Sequence, residues 1–219
     1  GLDFDTPVGD AKVGGKVEVD FAGTNEALRI RHAYLTYNNW LFGQTTSNFL
    51  AGHAPEMIDF ATNLGGGTTR IPQVRYSYNL APATKIFVAA EEGNSSGTAI
   101  KYSLPVLTAK VVQGYAEGRG SASGRVMIEN YKSDSADDNQ TGWGVAAGTD
   151  FKVTDDLKLF ADASYAVGNS NYLYGSNSAF YVNADNGDIE QNEAFGVQVG
   201  ATYQFSPQLR STLAYGALF

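Results

Sequence analysis

Alternating apolar and polar residues along the chain predict β-strands. The clearest case is Phe195–Phe205, which has an apolar residue at every second position and glycine, glutamine or threonine between them. A period of two places one kind of side chain on each face of a strand. The segment has about the ~10 residues that a tilted strand needs to cross a bilayer, and its apolar face ends in aromatic residues. It is therefore typical of a strand with one face toward lipid.

The same pattern recurs along the whole chain and predicts an all-β fold of about twelve strands. The predicted strands are Leu2–Thr6, Lys12–Phe21, Leu28–Tyr37, Trp40–Asn48, Gln73–Leu80, Lys85–Glu92, Thr108–Glu117, Arg125–Lys132, Gly142–Phe151, Leu157–Val167, Phe195–Phe205 and Leu209–Phe219. Short turns near Pro7, Asn38, Pro82, Gly120, Thr154 and Pro207 alternate with connections that are mostly longer and more polar. Short turns at one rim and long loops at the other indicate a transmembrane, antiparallel up-and-down β-barrel in a single domain, 1–219. A soluble β-sandwich or lectin is the alternative, but such a fold does not require short turns and long loops to alternate along the chain.

Composition limits the possible classes of protein. The 219 residues are 43% hydrophobic with a mean hydropathy of -0.23, which is compatible with a barrel because half of each strand faces water. No apolar run approaches the ~18 residues of a transmembrane helix. There is no cysteine, which argues against disulfides, thiolate metal sites and thiol catalysis. The net charge of -8 argues against nucleic-acid binding.

Both ends of the chain fall within strand-like sequence. Gly1 starts inside one such segment, and Phe219 ends another with no closing hairpin. An open sheet edge in lipid would leave backbone groups unpaired, so we expect the barrel domain to be incomplete at both ends. The whole barrel would then have about sixteen strands. The alternative is that the twelve strands close on themselves.

Three sequence motifs resemble the DcaP-like porins, trimeric outer-membrane channels of Gram-negative bacteria associated with dicarboxylate uptake. The longest motif is RIRHAYLTYNNWLFGQTTSNF at Arg29–Phe49, and GGGTTRIPQVRY at Gly65–Tyr76 and GWGV at Gly142–Val145 are similar too. The resemblance covers most of the chain in order. It implies a sixteen-stranded trimeric barrel with an N-terminal helical segment. One strand would then precede Gly1 and three would follow Phe219.

The positive charges on the predicted strands are the candidate solute-binding groups. Arg29 and Arg31 are two residues apart and flanked by apolar neighbours, so we expect both to face the lumen, because a charge facing lipid costs about 2–4 kcal/mol. The same logic places Arg75 in the lumen. Candidate pore residues on other polar faces are Lys16, Lys85 and Arg125, with Lys110 left open. Such cations could bind the carboxylates of a solute, and an arginine can hold a carboxylate in bidentate fashion. Alternatively, they form salt bridges with the inward-facing carboxylates of the protein itself, at Glu18, Asp20, Glu91, Glu129 and Asp162.

The segment 49–70 is too long for a simple connection and is predicted to be a constriction loop folded into the barrel. His53, Glu56 and Asp59 would narrow the passage, with Arg70 near the end of the segment. The alternative is a loop that caps the outer rim or packs against a neighbouring subunit. Loop 168–191 is equally compatible with a surface epitope or a plug.

Catalysis has little support in the sequence. The chain has two histidines, no glycine-rich phosphate loop and paired carboxylates only in turns, so we expect no enzyme, no metal site and no cofactor. The predicted function is passive diffusion of small anionic solutes, dicarboxylates in particular, through the Gram-negative outer membrane. The expected partners are these solutes, outer-membrane lipid and lipopolysaccharide, and two further copies of the chain. The alternative function is a plugged structural or adhesive barrel whose long loops bind surfaces.

Overall fold

The computed structural model describes residues 1–51, 64–93, 100–102, 104–133, 138–169, 172–173, 180–183 and 185–219. Its regular structure is almost entirely strand, with short 3-10 turns at Thr24–Glu26 and Ala116–Gly118. The strands are β1 (Leu2–Val8), β2 (Ala11–Asp20), β3 (Arg29–Tyr37), β4 (Trp40–Thr46), β5 (Arg70–Ala81), β6 (Thr84–Glu91), β7 (Ile100–Tyr102), β8 (Val106–Tyr115), β9 (Gly120–Ser133), β10 (Asp138–Lys152), β11 (Leu157–Val167), β12 (Phe180–Val182), β13 (Ile189–Gln191), β14 (Glu193–Ser206) and β15 (Leu209–Leu218). Among the described residues, no helix is long and apolar enough to cross a membrane.

Twelve strands pair in sequence into one antiparallel sheet, in the order β1-β2-β3-β4-β5-β6-β8-β9-β10-β11-β14-β15. Because consecutive strands pair antiparallel, successive connections lie at opposite ends of the sheet. The short turns therefore gather at one end and the long connections at the other, as predicted. Strand β7 continues the sheet beyond the start of β8 by pairing with β9, and β12 pairs with β13 in a separate hairpin.

The two faces of the sheet have opposite chemistry, and the polar face is the buried one. On β14, Phe195, Val199 and Tyr203 are 41–43% exposed, whereas Gln198 is 3% exposed. The pattern repeats on β9, where Val126 and Ile128 are exposed and Arg125 and Glu129 are buried. A sheet in water would show the reverse. An apolar exposed face with a polar inner face is the distribution of a barrel in lipid.

Aromatic side chains lie on the outward face near both ends of the strands. Trp143 packs against Tyr165 at 5.5 Å between ring centroids, toward the long connections, and Tyr115 stacks on Phe151 at 5.9 Å beside a short turn. Trp143 and Phe151 are eight residues apart, about 26 Å along the strand. With tilted strands they delimit most of the apolar band, about 25 Å tall, that outer-membrane barrels present to lipid.

The sequence-based strand limits differ from the structure at both ends of the sheet. β9 starts at Gly120, beside a short turn, where the prediction started at Arg125, and β10 starts at Asp138, toward a long connection, where the prediction started at Gly142. These extensions carry glycine, serine and polar residues, so they lack the apolar alternation used to locate strands. Pairing with a neighbouring strand, rather than side-chain hydropathy, keeps them extended.

Candidate functional site on the inner wall

The positive charges of Arg75, Lys85 and Lys110 converge on one inner-face aromatic ring, that of Phe87. The Arg75 guanidinium carbon lies 5.8 Å from the ring centroid, and the ammonium nitrogens of Lys85 and Lys110 lie 5.1 and 5.2 Å from it. These distances are within the ~6 Å range of cation–π attraction. Within the part of the chain that the structure describes, none of these three cations forms a salt bridge. We call this group the Phe87 cation cluster.

Arg125 lies next to the cluster, opposite Lys110 in the β8–β9 pairing, but its charge is neutralised. Its side chain is buried, and Nη2 donates to Asp162 Oδ1 at 2.7 Å. The pair spans β10, where the small residues Ala146 and Gly148 lie between the two strands. A Cβ at Gly148 would collide with the Asp162 carboxylate. Arg125 is therefore part of a buried ion pair in the wall.

Arg29 and Arg31 take part in a five-residue ion network with Lys16, Glu18 and Asp20. Arg29 donates to both Asp20 carboxylate oxygens, at 2.9 and 2.6 Å. Arg31 bridges Glu18 at 2.8 Å and Asp20 at 3.0 Å, and Lys16 contacts Glu18 at 2.8 Å. Salt bridging, one of the two outcomes considered for these charges, is what the structure shows here. Three cations face two carboxylates in this network.

A β-bulge interrupts the regular alternation that the sequence predicted for β3. The pairing shifts between Glu18 and Val19, so that His32 lies opposite Glu18 and Ile30 opposite Val19. Arg31 is the inserted residue, and its side chain joins His32 on the inner side. The His32 Nδ1 atom lies 2.9 Å from Thr45 Oγ1. A bulge adds a side chain to one face and shifts the pairing by one residue, and simple alternation cannot reveal this.

Arg70, the first residue of β5, lies opposite Thr46 and is half-buried. Its Nε atom is buried without a hydrogen-bond partner among the described residues. This arginine therefore retains a donor that faces the protein interior.

Both described ends of segment 49–70 lie against the inner face of the sheet. Phe49, 1% exposed, packs with a cluster that includes Met127 and Ala146 on β9 and β10. At the other end, Gln198 on β14 donates to the Leu64 carbonyl at 3.1 Å. The three predicted constriction residues His53, Glu56 and Asp59 lie outside the described residues.

Glu91, at the end of β6, accepts four hydrogen bonds from the elements around it and is 1% exposed. The donors are Ser47 Oγ at 2.7 Å, the Asn48 amide at 2.7 Å, Thr108 Oγ1 at 3.0 Å and the Tyr172 hydroxyl at 3.2 Å. Burial raises the pKa of the Tyr172 phenol well above its usual value, so the hydroxyl stays protonated and donates. We call this set the Glu91 network.

Two features of the inner wall were not predicted. The orientation of Lys110 was left open and Phe87 had no predicted role, although strand alternation alone places both inward. Tyr172 was expected only as part of loop 168–191, a surface epitope or a plug; it lies in a connection without periodicity, so no sequence signal connects it to Glu91. In the described ranges, His, Asp and Glu residues do not gather in groups of three that could hold a metal ion.

The chain matches the model of the DcaP outer membrane protein family over residues 1–219. The chain belongs to this family. Among solved structures, it is similar to the outer membrane channel DcaP of Acinetobacter baumannii, with 70% sequence identity and a TM-score of 0.92. That alignment covers 99% of this chain and 64% of the other, so the chain spans less than two thirds of that relative's length.

A second similar structure is Salmonella typhi OmpF in complex with daunomycin, at 13% identity and a TM-score of 0.70. The match covers 99% of this chain and 69% of that one, and it shows the fold alone. No curated protein sequence matches the chain significantly.

Family membership confirms the predicted location and fold. The DcaP-family chain is a β-barrel of the Gram-negative outer membrane, and the inner face of its sheet is the lumenal face. The Phe87 cation cluster, the ion network of β2 and β3, and the Glu91 network therefore all lie on the lumenal side of the wall.

Proposed function

We propose that the full-length protein is a channel for passive diffusion of small anionic solutes, dicarboxylates in particular, across the outer membrane. The observation that carries the proposal is the Phe87 cation cluster, three cations on the lumenal face without a salt bridge among the described residues. The resemblance to DcaP-like porins favours dicarboxylates and a homotrimer. The channel needs no cofactor and performs no catalysis, and its other partners are outer-membrane lipid and lipopolysaccharide.

The chemistry of the cluster suits weak binding of an anion with two carboxylates. Uncompensated cations on the wall of a narrow, low-dielectric passage raise the local concentration of anions. Arg75 offers a planar fork that a carboxylate can accept in bidentate fashion, while Lys85 and Lys110 act as point charges for a second carboxylate. Contact of all three cations with Phe87 limits their reach, which keeps binding weak enough for release.

Segment 49–70 serves in this proposal as the constriction loop. Its two described ends support the assignment, because they contact the lumenal wall at separate places, β9–β10 and β14–β15. In this proposal the segment folds into the barrel and narrows the passage, instead of capping the outer rim.

A competing function is the plugged barrel, and inward packing of two connections favours it. Phe49 and Leu50 from one connection and Tyr172 and Leu173 from another are all buried on the lumenal side. If they fill the lumen, the protein conducts no ions, and its long loops become the functional surface.

Succinate titration in planar bilayers tests the proposal. Added succinate should reduce the chloride current of the full-length protein in a concentration-dependent way. Lys110→Gln combined with Arg75→Gln should weaken this block about tenfold or more, since each charged contact is worth about 1.5–3 kcal/mol. The control is Arg119→Gln, which also removes positive charge but from a residue stacked on the outward ring of Phe151 at the short-turn end. Block that is unchanged in the double variant would contradict the proposal, and absence of any current would favour the plugged barrel.

A further inference from the structure

The first residues after β4 are held in the lumen by polar contacts as much as by apolar packing. Ser47, Asn48, Phe49 and Leu50 are all 4% exposed or less. The Ser47 hydroxyl and the Asn48 amide both donate to Glu91, and the Asn48 side chain donates to the Phe87 carbonyl at 3.2 Å. The segment Ser47–Leu50 is therefore fixed to the stretch of β6 that also carries the Phe87 cation cluster.

Tyr172 joins this arrangement from a distant connection, the one between β11 and β12. Its hydroxyl donates to Glu91, and its ring meets the Phe49 ring edge to face at 5.8 Å between centroids. Its backbone carbonyl lies so close to Gly67 that a Cβ there would collide with it. One residue thus contacts the start and the end of the 47–69 connection as well as the carboxylate that holds its start.

The position of Tyr172 also explains how both carboxylate oxygens of Glu91 obtain hydrogen-bond donors in the wall. A buried carboxylate is costly unless its oxygens accept hydrogen bonds, and each Glu91 oxygen accepts two. Two of the four donors belong to Ser47–Leu50 and one to Tyr172. Loss of the phenol hydroxyl would leave one Glu91 oxygen with a single donor and would weaken the group that orders the segment.

We infer that Tyr172 is a positioning residue for segment Ser47–Leu50, holding it against the lumenal wall through its hydroxyl on Glu91 and its ring on Phe49. This inference rests on the proposed function only in that the positioned segment begins the proposed constriction loop. The connection after β11 then sets the geometry of the passage at a site distant in sequence. Tyr172 touches no solute in this role.

Hydrogen exchange of the full-length protein in detergent tests the inference whether or not the barrel conducts. In Tyr172→Phe, which keeps the ring, the Asn48 and Phe49 amides should exchange about tenfold faster, as expected for losing one hydrogen bond to a charged group. Glu91→Gln, which cannot accept all four bonds, should accelerate them further. The control is Tyr181→Phe in strand β12, which follows that connection, where the side chain is exposed and its hydroxyl donates to Glu190 of β13.

The outcomes separate this inference from the proposed function. Unchanged exchange in Tyr172→Phe overturns the role of Tyr172, and acceleration in Glu91→Gln alone would assign the whole effect to Glu91. If exchange accelerates as expected, single-channel records of Tyr172→Phe should show noisier open-state current than wild type or Tyr181→Phe. A wild-type channel that prefers cations would refute the proposed function while leaving the exchange result intact.

Discussion

At the scale of the residue, neighbouring cations on the lumenal wall differ in whether they form a salt bridge. Lys110 on β8 and Arg125 on β9 lie directly opposite one another, but Arg125 is buried against Asp162, whereas Lys110 is half-buried over Phe87. Strand alternation predicts that both face inward. It cannot predict which is paired, because the partner of Arg125 lies two strands away, across Ala146 and Gly148.

The Arg125–Asp162 pair should behave as a buried ion pair in stability measurements. Arg125→Leu leaves the Asp162 carboxylate uncompensated in the wall and should lower the free energy of unfolding by about 3–5 kcal/mol. Replacing both residues with leucine also removes the uncompensated Asp162 charge and should recover most of the lost free energy of unfolding. Urea unfolding in lipid vesicles, followed by tryptophan fluorescence, measures both variants. Equal destabilisation by the single and double variants would show that packing, and not charge, holds this part of the wall.

At the scale of the element, the connections rather than the strands give the lumen its shape. Gly65 has a positive φ of 77°, and a Cβ there would collide with the backbone of Val197 and Ala217. The sequence shows only three consecutive glycines, which are typical of a flexible loop. In the structure Gly65 allows a tight contact between the end of segment 49–70 and the wall.

Gly65→Ala should displace this end of the segment from β14 and β15. Strain from the positive φ and the collision with backbone add together there, whereas Gly9→Ala, also at positive φ, has open space around it and incurs only the conformational cost of about 1 kcal/mol. Limited proteolysis should therefore cut the 49–70 segment faster in Gly65→Ala than in wild type or Gly9→Ala. Identical cleavage rates in all three proteins would mean that the contact of Gly65 does not hold the segment.

Several elements show what the sequence determines and what it does not. The strands Gln73–Leu80 and Phe195–Phe205 were placed with the correct faces, because lipid on one side and water on the other impose alternation. The bulge at Arg31 and the hairpin of β12 and β13 were not predicted, since pairing geometry and packing create them. For the same reason, the Glu91 network required the structure: its members come from four separate stretches of chain.

At the scale of the whole molecule, the negative net charge favours cations, whereas the Phe87 cation cluster on the lumenal wall favours anions. The chain carries a net charge of -8, but many acidic residues lie in turns and connections, and the Phe87 cation cluster lies on the wall. Because field lines concentrate within a narrow passage of low-dielectric walls, charges on the lumenal face dominate ion selectivity. We therefore expect the charges on the lumenal wall, rather than the net charge of the chain, to determine ion selectivity.

The reversal potential of single channels under a KCl gradient measures whether lumenal cations set the selectivity. For the full-length wild-type protein, we expect a potential displaced toward the equilibrium potential of chloride, and a smaller displacement after Lys110→Gln. Displacement toward the equilibrium potential of potassium would rule out control by the Phe87 cation cluster, because the negative residues of the protein would then control the lumen.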